Sequence, residues 1–124
     1  MMEDISMSED LIKEHNSNSL EVEKTILGAM LSDEKCIPGV IEILDVKDFF
    51  SETNRDIFNA IHSMFITSEK IDPVTVLEKM RIDGCHNEYI ANYIKDLLMM
   101  TPTSVNVNEY ARIVKEKSNL RKNK

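Results

Sequence analysis

The sequence predicts an all-α fold, a small orthogonal bundle of about six helices. Three observations predict it. Apolar residues recur at helical spacing in stretch after stretch, most clearly as Ile57, Phe58, Ile61, Met64 and Phe65 at i, i+1, i+4, i+7 and i+8. Glycine and proline number only 3 each in 124 residues, too few for the turns of a strand-rich chain. Cap residues stand ahead of the apolar stripes, and no stretch alternates apolar and polar residues as a half-buried strand would.

The first helix opens at "NSLEVEKTILGAML", with Asn18 as cap and Glu21 as its capping-box partner. Leu20, Leu27, Met30 and Leu31 share one face with Ile26 at its edge, and mid-helix Gly28 points to close packing there. Pro38 fits the first turn of a short second helix running to about Leu44. "DVKDFF" then reads as an extended connection that drops Phe49 and Phe50 onto the core. Ser51 caps the amphipathic third helix, "ETNRDIFNAIHSMFI".

After the loop "TSEKID", Asp72 caps and Pro73 takes the first position of the fourth helix. Val76, Leu77 and Met80 face inward, and Gly84 closes the helix in a left-handed conformation. The fifth helix, "NEYIANYIKDLLMM", carries Ile90, Tyr93, Ile94, Leu97 and Leu98 as its stripe. A break at Thr101–Thr103 precedes the last helix, whose stripe is Val107, Tyr110, Ile113, Val114 and Leu120, interrupted by Lys117.

The totals describe one globular domain with 42% hydrophobic and 30% charged residues. Residues 1–17 are acidic and lack the basic start and apolar run of a signal peptide, so they read as a flexible tail. No apolar run is long enough to cross a bilayer, and a cytoplasmic location follows as the expectation. Cys36 and Cys85 fit no metal spacing and read as reduced, mostly buried thiols. Residues 1–111 hold 9 Lys/Arg against 21 Asp/Glu, a balance of −12, whereas residues 112–124 hold 6 against 1, a balance of +5. The body repels a phosphate backbone. The basic end complements the dipole of a helix C-terminus, or attracts nucleic acid through Arg112, Lys115, Lys117, Arg121, Lys122 and Lys124.

Catalytic chemistry is hard to place. Gly28, Gly39 and Gly84 form no phosphate-cradling loop and no dinucleotide fingerprint. His86 beside Cys85 is one adjacent pair where structural zinc needs four converging ligands, so no metal site is assigned. His62 lies on a polar helix face and reads as solvated. Glu42, Asp45, Asp48 and Glu52 read as a solvated acidic edge. No catalytic and no cofactor-binding residue is assigned. The residues point instead to contact. Eight methionines, dense at "LLMM", suit either core filling or an adaptable binding surface, and the last helix has apolar residues to spare for a partner helix.

Four stretches then fall in order. "SLEVEKTILGAML", "DFFSETNRDIFNAI", "IDPVTVLEKM" and "YIKDLLMMTPTSVNVNEYARIVKEKSNLR" together resemble the N-terminal domain of DnaB-type replicative DNA helicases over about residues 18–121. The family's glycines ahead of the fifth helix's aromatic are replaced here in "HNEYIANYI", while Tyr93 keeps the aromatic position. The resemblance implies a helical head over 18–100 and the first helix of a hairpin over 101–124, with "KNK" standing where a second arm follows in the family. It implies self-association into a dimer or higher oligomer, docking of the primase C-terminal domain and a possible helicase loader as partner, and a place at the replication fork. ATP and Mg would belong to a motor domain that this chain lacks. The candidate interaction surface is Tyr93, Tyr110, Ile113, Val114, Lys117, Leu120 and Arg121. The chain is then either a fragment of a full helicase or a stand-alone, phage- or element-borne regulator of a helicase collar.

Overall fold

A computed structural model describes residues 20–85, 87–100 and 104–122. Six α-helices run through them: α1 (residues 20–32), α2 (Ile37–Ile43), α3 (Glu52–Ile66), α4 (Pro73–Ile82), α5 (Glu88–Met99) and α6 (Val107–Lys122). Two short 3-10 turns, Glu34–Cys36 and Val46–Asp48, sit before and after α2. No strand occurs among the described residues. The cap expected from Asn18, the tail at 1–17, the break at 101–103, His86 and the end of "KNK" lie outside them.

Three helices open on side-chain caps. Ser51, Asp72 and Asn87 each accept a hydrogen bond from the backbone N–H three residues on, opening α3, α4 and α5. Thr75 donates its hydroxyl to the Asp72 carbonyl and accepts from the Asp72 N–H, reinforcing the start of α4. Helices α3 and α4 end alike. Cys85 N–H reaches back to the Met80 carbonyl and Gly84 N–H to Arg81, with Gly84 at φ +81°. Glu69 N–H reaches Met64 and Ser68 N–H reaches Phe65, with Ser68 at φ 59°. Both are Schellman caps, and glycine occupies the left-handed position in only one.

One contiguous core draws on all six helices. Its largest fully buried side chains include Ile26, Leu27 and Met30 from α1, Ile57, Phe58 and Ile61 from α3, Met80 from α4, and Ile94 and Leu97 from α5. Phe49 packs on Phe58 in a tilted pair with ring centroids 4.7 Å apart. Helix α3 packs on α4, α6 packs on α2, and the Val46–Asp48 turn touches both α3 and α6. At the α2–α6 contact, Gly39 leaves room for Asn108, whose side chain a Cβ would approach to 2.7 Å. Thus α6 is continuous with the head's core through Val107, Ala111 and Val114.

Several expectations change. "DVKDFF" is not fully extended, because residues 46–48 form a 3-10 turn. Phe49 is buried, but Phe50, at the bend that follows it, is 39% exposed. Phe65 lies at the rim of α3 and is exposed, as is Cys85, while Cys36 is half-buried. Ring stacking on Phe58 holds His62 partly covered. Asp48 is no solvated edge residue. It is fully buried.

Candidate interaction surface

The segment from Asp48 to Ser51 ties four helices together through polar contacts that hydropathy does not show. On one side stands Glu23, a fully buried carboxylate of α1. It accepts from the N–H of Phe50 at 2.7 Å and of Ser51 at 3.4 Å, and from Asn54 Nδ2 at 2.9 Å. These donors surround the N-terminus of α3, where a negative charge is favourable. Asn54 passes the link on, accepting from the Tyr93 hydroxyl of α5. Arg55 donates to the carbonyls of Phe49 and Phe50, which closes the loop onto its own helix.

On the other side stands Asp48. Its carboxylate accepts from Ser118 Oγ at 2.7 Å, from Lys115 Nζ at 3.0 Å and from the Asp45 N–H at 2.8 Å. Its backbone carbonyl accepts from Arg121 Nη2 at 2.8 Å, and the Arg121 guanidinium lies 5.2 Å from the Phe50 ring centroid. At the other end of the connection, Ser104 Oγ donates to Asp33 at 2.7 Å. That bond and the Lys35 N–H hold the Asp33 carboxyl below its usual range. Helix α6 is therefore fixed at both ends.

Each candidate surface residue now has a place. Ile113 and Leu120 are 40% and 56% exposed and look away from the head. Tyr110 and Lys117 are half-covered. Val114 is at 0% exposure inside the chain's own core, so it offers no surface to a partner. The buried stripe of α6 is Val107, Ala111, Val114 and Ser118, rotated from the one expected, and this rotation is what removes Val114 and presents Ile113. Arg121 is engaged with Asp48. Tyr93 is half-buried and bonds Asn54 rather than any residue of α6. Burial, then the charges of Tyr89 and Glu23, push its hydroxyl up to about 12, against a small lowering by Asn54. Lys24 lies 5.7 Å above its ring.

Glu23, Asp48, Asn54 and Ser118 were missed in the sequence as structural polar groups. Glu23 and Ser118 carried a signal. Glu23 falls three residues after Leu20 and four before Leu27, in the middle of the apolar stripe of α1. Ser118 completes the small-residue spacing of Val107, Ala111 and Val114. Asp48 gave none beyond adjoining two phenylalanines.

No group of three or more His, Cys, Asp or Glu among the described residues can hold a metal ion. No helix there is long and apolar enough to cross a membrane. Burial first, then the Asp33 charge, push the Cys36 thiol up to about 11, which keeps it protonated and poorly nucleophilic. A notch of about 380 Å³ between α3 and α4 is lined by Met64, Ile82 and charged side chains around them.

The fold defines the class, an all-helical head closed by an amphipathic last helix that turns aliphatic side chains outward. Residues 15–116 match the family described as DnaB-like helicase N terminal domain, and the chain belongs to that family. It is 34% identical over 117 residues to the replicative DNA helicase DnaB of Geobacillus stearothermophilus, covering 94% of this chain and 26% of that protein. The corresponding match to the Rhodothermus marinus helicase is 33% over 100 residues, covering 80% and 11%. The chain thus spans about a quarter or less of these relatives' length. Among solved structures, the N-terminal domain of DnaB helicase from Mycobacterium tuberculosis superposes with a TM-score of 0.76 at 34% identity, over 82% of this chain and 75% of that one. The Helicobacter pylori domain, described together with its interactions with primase, gives 0.72 at 21% identity over 88% and 85%, a likeness of fold.

Proposed function

We propose that this chain is a contact domain of a replicative helicase, which self-associates through the outer face of α6 and docks the C-terminal domain of a primase, with a helicase loader as a further partner. The observation that carries the reading is the exposure of Ile113 and Leu120, seven residues apart on the side of α6 turned from the head. Two aliphatic side chains two turns apart suit a helix-to-helix seam; Lys117 falls between them and Tyr110 stands three residues before Ile113, which gives the series coiled-coil spacing. The Helicobacter pylori relative, described with its interactions with primase, supports the primase part by family membership. ATP hydrolysis and strand translocation are assigned to the motor domain of the family, not to these residues. A nucleic-acid role loses support, because Lys115 and Arg121 of the basic end are bonded to Asp48 and Arg112 pairs with Glu109.

Light scattering across a concentration series, with a titration against the primase C-terminal domain, tests the reading. The expected result is a dimer or larger species that Ile113→Asp shifts to monomer while thermal unfolding of the head is unchanged. A chain that stays monomeric throughout and ignores primase and loader would overturn it.

A further inference from the structure

We infer that Asp48 is a positioning residue that sets the rotation of α6 about its own axis, and so decides which side chains that helix presents outward. This inference rests on the contact reading given above for its functional meaning, but not for its geometry.

Hydrophobic burial alone does not choose the observed rotation. The face of α6 against the head consists of Val107, Ala111, Val114 and Ser118. A face roughly a third of a turn away carries Ile113 and Leu120, with the half-covered Tyr110 at its edge, and so holds larger apolar side chains to remove from water. Left to hydropathy, the helix would roll to bury that richer face. What opposes the roll is polar. Lys115, Ser118 and Arg121, at i, i+3 and i+6, lie on one side of the helix centred on Ser118. All three converge on Asp48, two on its carboxylate and one on its carbonyl. The carboxylate is fully buried and held in place from its own turn by the Asp45 N–H. Rolling α6 would pull these donors away and leave a buried charge without them, which is strongly unfavourable. A buried polar contact is thus used to specify one packing among alternatives, as single buried polar residues fix register in coiled coils. The chosen rotation is the one that leaves Ile113 and Leu120 outside.

Thiol labelling reads the rotation directly. In a background with Cys36→Ala and Cys85→Ser, Leu120→Cys and Ala111→Cys are labelled separately, at dilutions where light scattering reports monomer. With Asp48 present, the thiol at 120 reacts freely and the one at 111 is protected. In Asp48→Leu combined with Ser118→Ala, the ratio of the two rates should fall by about tenfold, because exposure governs thiol access. The thiol at 120 slows and the one at 111 quickens. Asp48→Asn, which keeps the shape and loses the charge, should shift the ratio the same way to a smaller extent, and it decides the matter if the double variant melts. An unchanged ratio in folded Asp48→Asn and in the double variant overturns the inference. So does a parallel rise at both positions in a protein whose circular dichroism is native, since that is loosening of α6 and not a roll. If the parent chain never self-associates, the contact reading fails while the labelling ratio still decides the rotation.

Discussion

Ser118 Oγ donates a 2.7 Å hydrogen bond to the carboxylate of Asp48, 70 residues earlier, and both side chains are buried. Through this pair the last helix is anchored to the turn that precedes α3. Asp48→Ala should destabilise the domain by about 2–4 kcal/mol, less than the loss of one partner of a wholly buried ion pair, because Lys115 can turn its ammonium to water. Lys115 is already 37% exposed. Ser118→Ala should cost about 1 kcal/mol, the net worth of one hydrogen bond. Urea midpoints at constant slope measure both, and equal losses would show that the carboxylate is not the centre of the cluster.

The Tyr93 hydroxyl gives the domain an alkaline limit. Its folded value is raised to about 12 from 10.0, so the fold favours the neutral phenol. The stability this contributes is complete below pH 10, where the unfolded chain is also neutral, and is lost as pH rises from 10 towards 12. Cys36, raised from 9.0 to about 11, acts with the same sign from pH 9 upward. Tyr93→Phe should therefore lower stability at neutral pH by about 1 kcal/mol, through the lost bond to Asn54, and flatten the fall between pH 10 and 12. Unfolding curves at several pH values check it. Identical slopes in the parent and the variant would remove Tyr93 from the account.

The matched caps of α3 and α4 offer a controlled comparison. Ser68 holds φ 59° where Gly84 holds φ +81°. Ser68→Gly should stabilise by a few tenths to about 1 kcal/mol by relieving the left-handed strain. Gly84→Ala should cost about 1 kcal/mol, and all of it is backbone conformation, because a Cβ there meets nothing within 4 Å. Thermal melts of the two single variants should move in opposite directions.

Much of the fold was legible in the sequence. Asp72, Pro73 and Gly84 mark both ends of α4 through local chemistry, and the stripe Ile90, Ile94 and Leu97 identifies the buried face of α5. Local rules succeed where the partner of a helix is simply the core. They fail where the partner is polar. Val114 and Ile113 are adjacent and both aliphatic, so periodicity places them on one face. The structure sends Val114 to 0% exposure and Ile113 to 40%. Asp48 looked like one carboxylate among many at the surface, and its burial depends on donors 67 to 73 residues further along.

The sequence by itself determined the helical class, most helix ends and the family, because caps, spacing and motif order are properties of neighbouring residues. Only the tertiary structure decided the rotation of α6 and the burial of Glu23 and Asp48. A buried carboxylate is tolerable only where donors from distant segments meet it, and no local pattern encodes where those donors will stand.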